Sequence, residues 1–339
     1  MKNLMIPALA LFLSAAAQAD DSPLWMRYCA ISPDGQTIAF SYQGDIYTVP
    51  SSGGKARQLT THPAHDTRPV WSPDGQKIAF ASNRSGNFDV FLMNKEGGEP
   101  KRLTTHSTNE YPTTFKDNGH ILYLANILQD AKDIQFPGTR FMQVYEISTD
   151  GGRPDLYSSL YMENIALSKD GSKLLYNDYK GYEDPWRKYH QSSITRDIWL
   201  CTLGKDRSFQ KVTTFGGEDR NPVWAADGAS FYYLSEEKGS FNIFKKDLAG
   251  NSEKQITTHT THPVRFLTSD NSGTLCYSYD GEIYTVKEGQ KPAKVNIQIV
   301  ADKIENDVIH RLLTDGATDI AVSPNGKEAV SYTHLRAHE

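Results

Sequence analysis

Seven tight turns of one kind recur along the chain, and each is built on Asp or Asn close to a Gly. They lie at residues 32–35, 72–75, 116–119, 168–171, 226–228, 270–273 and 323–326. Glycine accepts the positive φ that such a turn requires, so each turn ends one strand and begins the next. Successive turn glycines are 40 to 57 residues apart. A repeat of that length with several strands per unit is typical of a β-propeller.

The clearest repeat predicts four strands per unit. A short strand at 69–71 precedes the turn, an apolar strand follows at 77–82, a third lies at 89–93, and a polar fourth at 101–105. Lys and Arg on the fourth strand protect an exposed sheet edge from pairing with other chains. One such sheet cannot bury both of its faces, so neighbouring units must stack to form a core.

The pattern predicts an all-β fold: a six-bladed β-propeller of four-stranded antiparallel blades over residues 23–300. A charged linker follows at 301–317, and residues 318–330 are interpreted as the first strand of a second, truncated propeller. A single seven-bladed ring is the alternative. The tail at 331–339 breaks the pattern, and we interpret it as foreign sequence at a truncation.

The first residues have the features of an export signal. Lys2 precedes an apolar run at 4–13, and Ala17 and Ala19 fit a signal-peptidase site. We therefore expect a signal peptide at 1–19 and a periplasmic location. No later segment is apolar enough to span a bilayer, so no membrane span is expected after cleavage.

Composition narrows the class of partner. The 339 residues carry a formal net charge of −5, whereas nucleic-acid binding favours a basic excess, so no nucleic-acid partner is expected. Cys29, Cys201 and Cys276 fall in predicted strands of three different blades. An odd number of widely spaced cysteines predicts buried free thiols rather than a disulfide framework.

Motifs for catalysis and cofactors are missing from the sequence. It contains no Gly-x-Ser-x-Gly elbow, no His-Glu-x-x-His pair, no phosphate-binding loop and no dinucleotide fingerprint. His62 and His65 flank Pro63 in a turn, which does not favour a metal site. We predict no catalytic residue, no metal and no cofactor within this chain.

The segments that precede the first strands are the first candidate binding site. First strands line the channel of a propeller, so these segments would surround one mouth of it. They contribute the candidate substrate-binding residues Asp66, Arg68, Glu110, Asp219, Arg220 and His262. This mixture of charges could hold a peptide end or a small polar ligand. The alternative is that these groups join adjacent blades by hydrogen bonds.

Two long loops are the second candidate site, because long loops on a rigid scaffold commonly carry binding. The third blade has such a loop at 129–140 and the fourth at 180–193. Their basic residues Arg140, Arg187, Lys188 and His190 could capture a carboxylate or a peptide. Packing against a following domain is an equally valid interpretation.

Several stretches resemble the exported tricorn-type peptidases, which belong with the C-terminal-processing serine proteases. The stretches are residues 23–28, 181–188, 196–199, 217–222 and 261–266. The resemblance implies a six-bladed propeller, a seven-bladed propeller, a PDZ module and a catalytic core with a serine nucleophile and a histidine base. It further implies a first propeller that gates or guides peptides or unfolded protein segments.

This resemblance implies that the second propeller, PDZ and catalytic domains are missing partners, so the fragment alone should hydrolyse nothing. Two alternatives remain. One is a complete periplasmic protein-binding propeller of the Tol-Pal type, although that family places a small α/β domain before its blades. The other is the propeller of a dipeptidyl-peptidase-like enzyme, which would carry a Gly-x-Ser-x-Gly domain downstream.

Overall fold

The computed structural model describes residues 23–127, 141–182, 191–249, 252–300, 320–326 and 329–331. The chain divides into two compact units, with the boundary between Val300 and Ala301. The described residues form strands and turns without a helix. None of them therefore forms a helix of the length and apolar character that crossing a membrane requires.

The first unit contains six four-stranded antiparallel blades. Blade 1 has β1 (Arg27–Ile31), β2 (Thr37–Tyr42), β3 (Asp45–Pro50) and β5 (Arg57–Gln58), with the short β4 (Gly54–Lys55) before β5. Blade 2 has β6 (Asp66–Trp71), β7 (Lys77–Ser82), β8 (Asp89–Asn94) and β9 (Gly97–Arg102). Blade 3 has β10 (Glu110–Asp117), β11 (His120–Ala125), β12 (Gln143–Ser148) and β13 (Asp155–Ser158).

The remaining blades repeat the same order. Blade 4 has β14 (Glu163–Leu167), β15 (Lys173–Asn177), β16 (Ile198–Thr202) and β17 (Ser208–Lys211). Blade 5 has β18 (Asp219–Trp224), β19 (Ser230–Ser235), β20 (Asn242–Asp247) and β21 (Glu253–Gln255). Blade 6 has β22 (Arg265–Ser269), β23 (Thr274–Tyr279), β24 (Glu282–Lys287) and β25 (Ala293–Lys294).

The predicted six-bladed propeller is confirmed, and the seven-bladed alternative is wrong. Each first strand contacts the first strands of both neighbouring blades, and β1 contacts β22, so the ring closes after blade 6. The short strand that follows blade 6 does not extend its sheet. Instead β26 (Ile297–Gln298) pairs in parallel with β4 on the outer side of blade 1.

The core lies between stacked blades, as a repeat with two apolar faces requires. Ile46 of blade 1 and Phe80 of blade 2 are both fully buried in one shared cluster. The turns have the local bonding that their sequence predicts. In blade 2 the Asp74 carboxylate accepts hydrogen bonds from the Ser72 hydroxyl at 2.6 Å and from the Gln76 amide at 3.0 Å.

In the second unit, the described residues form one antiparallel hairpin of β27 (Ile320–Val322) and β28 (Ala329–Ser331). Its interpretation as the start of a second propeller stays a prediction. The expected signal peptide at 1–19, the expected linker at 301–317 and the anomalous tail from 332 onward lie outside the described residues.

Candidate functional site at the channel mouth

A strained position recurs on the innermost strand of five blades. Tyr28, Arg68, Asn164, Asn221 and Phe266 all have φ between 50° and 57°. Each lies within a register shift between the first and second strands of its blade. Non-glycine residues rarely adopt positive φ, and bulges of this kind redirect side chains. The recurrence therefore defines one level of the channel, at the mouth where the first strands begin.

Blade 3 departs from this pattern for a clear reason. Its residue at the same distance before the turn is Pro112, whose ring holds φ negative. The register shifts of β10 instead follow Pro112 and Phe115. The neighbouring residue Tyr111 takes over the contact with blade 2, as described next.

Three of these side chains and Tyr111 form a continuous arc, which we call the aromatic arc: Phe266, Tyr28, Arg68 and Tyr111. The rings of Phe266 and Tyr28 have centroids 4.5 Å apart. The Arg68 guanidinium carbon lies 5.4 Å from the Tyr28 centroid and 4.2 Å from the Tyr111 centroid. All four side chains are half-buried, so the arc joins blades 6, 1, 2 and 3 while keeping part of each surface accessible.

The opposite part of the mouth is held by charges, which we call the ionic arc: Glu163, Arg196, Glu218 and Arg220. Arg196 donates to Glu163 at 2.8 Å and to Glu218 at 3.1 Å. Arg220 donates to the same Glu218 oxygen at 3.4 Å. Burial lowers the pKa of Arg220 to about 10, although Glu218 opposes that shift. The ionic arc therefore ties blade 4 to blade 5.

Asp66 and Glu110, both predicted as site residues, are buried at the starts of their strands. Asp66 forms an ion pair with Arg84 at 2.8 Å, and its amide donates to Gly44 of the preceding blade. Burial first, and the neighbouring Asp89 of blade 2 in addition, raise the pKa of Glu110 to about 7. Both carboxyl groups therefore lie in the junction with the preceding blade.

Asp219 and Arg220 occupy the same kind of junction between blades 4 and 5. Burial raises the pKa of Asp219 to about 7, and the charge of Asp197 adds to that effect. Asp197 itself forms an ion pair with Lys180 at 2.6 Å. Arg220 lies over the Phe241 ring at 4.3 Å. Asp219 also donates its amide to the Arg196 carbonyl of blade 4, whereas Arg220 packs on Phe241 of its own blade and reaches blade 4 through Glu218.

The remaining predicted residues differ in how far the structure describes them. His262 lies just before β22, the first strand of blade 6, and is exposed. Its ring is 3.2 Å from Asp280 in the turn between β23 and β24. Arg140, Arg187, Lys188 and His190 lie outside the described residues. Their described neighbours Phe141 and Tyr182 are exposed.

Sequence reasoning missed the acids at the starts of the third strands: Asp45 and Asp89 are the first residues of β3 and β8, and Asp197 directly precedes β16. Each has an acidic neighbour at the start of the next blade, which is Asp66, Glu110 or Asp219 respectively. The sequence contains a pattern that could have identified these acids, because an Asp followed by an apolar β-branched residue recurs at the start of these strands. Which acid of the next blade each of these residues meets depends on how the blades stack in the closed ring, and the sequence pattern does not show that.

The mouth has the chemistry of a binding surface. Its aromatic faces and the half-buried guanidinium of Arg68 suit apolar side chains and carboxylates. Among the residues that the structure describes, no three His, Cys, Asp or Glu side chains are arranged to hold a metal ion.

Known proteins resemble this chain over most of its length. A family model described as the tricorn protease N-terminal β-propeller domain matches residues 23–292. A tricorn protease homologue of Saccharolobus solfataricus is 23% identical over 287 residues, covering 82% of this chain and 25% of that protein. The chain thus spans about a quarter of the length of the curated relatives it matches.

Solved structures agree at the level of the fold. The crystal structure of the tricorn protease superposes with a TM-score of 0.66 at 21% identity, covering 88% of this chain and 28% of that one. TolB from Acinetobacter baumannii superposes with a TM-score of 0.57 at 14% identity, covering 78% of this chain and 61% of that one. At these identities the two likenesses show a shared propeller.

Proposed function

Because the chain belongs to the family of tricorn protease N-terminal β-propeller domains, we propose that it gates and guides peptide segments for an exported serine peptidase. The catalytic serine and histidine belong to further domains of the parent protein. Relatives about four times as long as the matched region support this division of labour. Export by the signal peptide and a periplasmic location are parts of the same proposal.

The accessible cation of the aromatic arc is the observation that carries the proposal. Arg68 is stacked between two rings, yet it keeps part of its surface in contact with solvent. A guanidinium held in this way can pair with a peptide carboxylate while the neighbouring rings contact apolar side chains. A peptide is long enough to contact the guanidinium and the neighbouring rings at the same time.

A further aromatic residue lies three positions before Tyr28 of the aromatic arc. Trp25 immediately precedes blade 1, is 70% exposed, and has the Arg27 guanidinium 5.8 Å from its ring centroid. Exposed Trp and Arg side chains are enriched where proteins bind other chains. Together with the aromatic arc, Trp25 supports peptides or unfolded protein segments as the bound class.

The test measures binding of fluorescein-labelled unfolded peptides to the full chain by anisotropy. We expect binding that weakens by about 10- to 150-fold when the peptide carboxyl terminus is amidated, and by a similar factor in Arg68→Met, since a charge-assisted bond is worth about 1.5–3 kcal/mol. Arg57→Met is the matched control, because Arg57 forms an exposed ion pair with Glu96 away from the mouth. Equal affinity of the Arg68 and Arg57 variants, or no binding by the parent chain, would refute the proposal.

Hydrolysis is the second readout. We expect the purified chain to release no product from chromogenic peptides, because its sequence contains no recognised nucleophile motif. Turnover that a serine-directed inhibitor abolishes would show that a catalytic site lies within this chain.

A further inference from the structure

The first and last blades meet at a seam that closes the ring. Met26 donates to the Gly281 carbonyl at 3.0 Å, and Asn271 donates to the Pro33 carbonyl at 3.0 Å. On the outer side, the parallel ladder between β26 and β4 spans two residue pairs. Ring closure therefore joins segments from the two ends of the propeller sequence through short stretches of backbone pairing.

Two cysteines that are far apart in sequence face each other inside this seam. Cys29 lies on β1 of blade 1, and Cys276 lies on β23 of blade 6. Ser278, two residues after Cys276 on the same face of β23, contacts the Cys29 sulfur, which places the two cysteines next to each other. Both residues belong to the same buried core cluster and are at most 1% exposed.

The surroundings hold both thiols in place. The Cys29 thiol donates to the Phe266 carbonyl at 3.4 Å, and the Ser278 hydroxyl donates to the Cys29 sulfur at 3.6 Å. Thr268, which lies opposite Cys276 in the β22–β23 ladder, donates to the Cys29 carbonyl at 3.4 Å. These contacts hold β1 and β23 together at the level of the two cysteines.

We propose that Cys29 and Cys276 are an oxidative modification site, at which a disulfide joins blade 1 to blade 6 and closes the ring covalently. The two S–H bonds break and one Sγ–Sγ bond forms. The two electrons and two protons pass to a disulfide oxidant, which is reduced to two thiols. The compartment expected for an exported chain supplies oxidants of this class.

Burial determines when the bond can form. It raises the pKa of the Cys276 thiol, and the adjacent Cys29 raises it further, so the folded seam holds the unreactive thiol form. Exchange requires a thiolate and access for the oxidant. The disulfide therefore forms while the seam is open, during folding, and is then protected by the closed ring.

The third cysteine is an internal control. Cys201 lies on β16 of blade 4, is fully buried, and belongs to a different core cluster from the seam pair. A specific reaction at the seam should leave it reduced, whereas general oxidation of unfolded protein would involve all three cysteines.

The experiment unfolds the full chain, refolds it in a buffer of reduced and oxidised glutathione, and maps alkylated peptides by mass spectrometry without reduction. We expect one linked peptide pair that contains Cys29 and Cys276, with Cys201 alkylated. The same product should form in Cys201→Ser and be lost in Cys29→Ser and in Cys276→Ser. Protein kept folded throughout should oxidise at least about tenfold more slowly, because the seam excludes the oxidant.

Thermal unfolding supplies a second measurement on the parent chain alone. The cross-linked form should melt higher by roughly 5 °C or more, since the bond encloses most of the propeller, and reductant should remove the difference. Free Cys29 and Cys276 after refolding, or links to Cys201 at equal frequency, would overturn the proposal. An oxidised form that melts at the same temperature as the reduced form would overturn the covalent closure.

Discussion

The guanidinium carbon of Arg68 lies 4.2 Å from the centre of the Tyr111 ring, and these two residues belong to adjacent blades. Arg68 also faces Tyr28 of blade 1, so one cation contacts the innermost strands of three blades. It does so from a backbone conformation with φ of 56°, which an arginine rarely adopts. The packing of the mouth therefore compensates a local strain.

Replacing Arg68 should weaken the ring as well as peptide binding. We expect Arg68→Met to lower the free energy of unfolding by about 1–2 kcal/mol, because two cation–π contacts are lost in a half-buried site. Urea denaturation measures this loss. Arg57→Met removes an exposed ion pair and should cost less than about 1 kcal/mol. Equal losses in the two variants would contradict the role assigned to the aromatic arc.

Glu110 should make stability depend on pH. Burial raises its pKa from the usual 4.5 to about 7 in the folded chain, so the folded state holds a proton that the unfolded state releases. The free energy of unfolding should therefore fall by up to about 3 kcal/mol as pH rises from about 4.5 through 7. Urea denaturation at pH 5 and pH 8 measures the change.

The Glu110→Gln variant isolates this effect, because an amide does not titrate. It should lose most of the pH dependence assigned to Glu110, whereas Glu96→Gln, at an exposed ion pair, should retain it. Asp219, whose pKa is also raised to about 7 by burial, should leave a residual slope of the same sign. An unchanged slope in Glu110→Gln would contradict the assignment.

The closure strand should be sensitive to a single methyl group. A Cβ at Gly53 would lie 2.7 Å from the Asn296 carbonyl oxygen, next to the parallel pair of β26 and β4. Gly151 has a similar φ of +83° in the corresponding turn of blade 3, with nothing within 4 Å of its Cβ position. Both alanine variants incur the positive-φ cost, and Gly53→Ala should lose about 1–3 kcal/mol more.

Thermal unfolding of the two alanine variants measures that difference directly. If Gly151→Ala were as destabilised as Gly53→Ala, the contact with Asn296 would contribute nothing to ring closure.

A tryptophan bond between blades can be tested in the same way. The Trp71 indole donates to the Ala30 carbonyl of blade 1 at 2.9 Å, and Trp224 makes the equivalent bond to Ala166 of blade 4. Trp71→Phe should lower the free energy of unfolding by about 1–3 kcal/mol, because a buried carbonyl loses its donor. Trp25→Phe, at a 70% exposed position, is the control and should change stability little. Equal changes would rule out a stabilising role for the indole bond.

The blade architecture was predictable because its signals are local. Turns such as 72–75 bond within themselves, through the Ser72 hydroxyl and the Asp74 carboxylate, so their residue types carry the information. Apolar strands such as β7 lie directly after these turns. Counting turns left six or seven blades open, and the contact between β1 and β22 decided for six.

The mouth was only partly predictable, because its contacts join residues of different blades. The positions of Arg68 and His262 near the channel followed from their place before a first strand, and both are accessible in part. The stacking of Arg68 between Tyr28 and Tyr111 could not be predicted from the sequence, because those rings belong to blades 1 and 3. The meeting of Cys29 with Cys276 across the seam is a further case, since wide spacing had argued against any pairing.

The amino-acid sequence alone determined the repeat, the strand type and the blade unit, because turns and apolar runs are stabilised by neighbours along the chain. The tertiary structure decided where the ring closes and which residues meet there, because closure brings together segments that lie hundreds of residues apart. The same closure decides which charges are buried between blades, and burial rather than residue type raises the pKa values of Glu110 and Asp219.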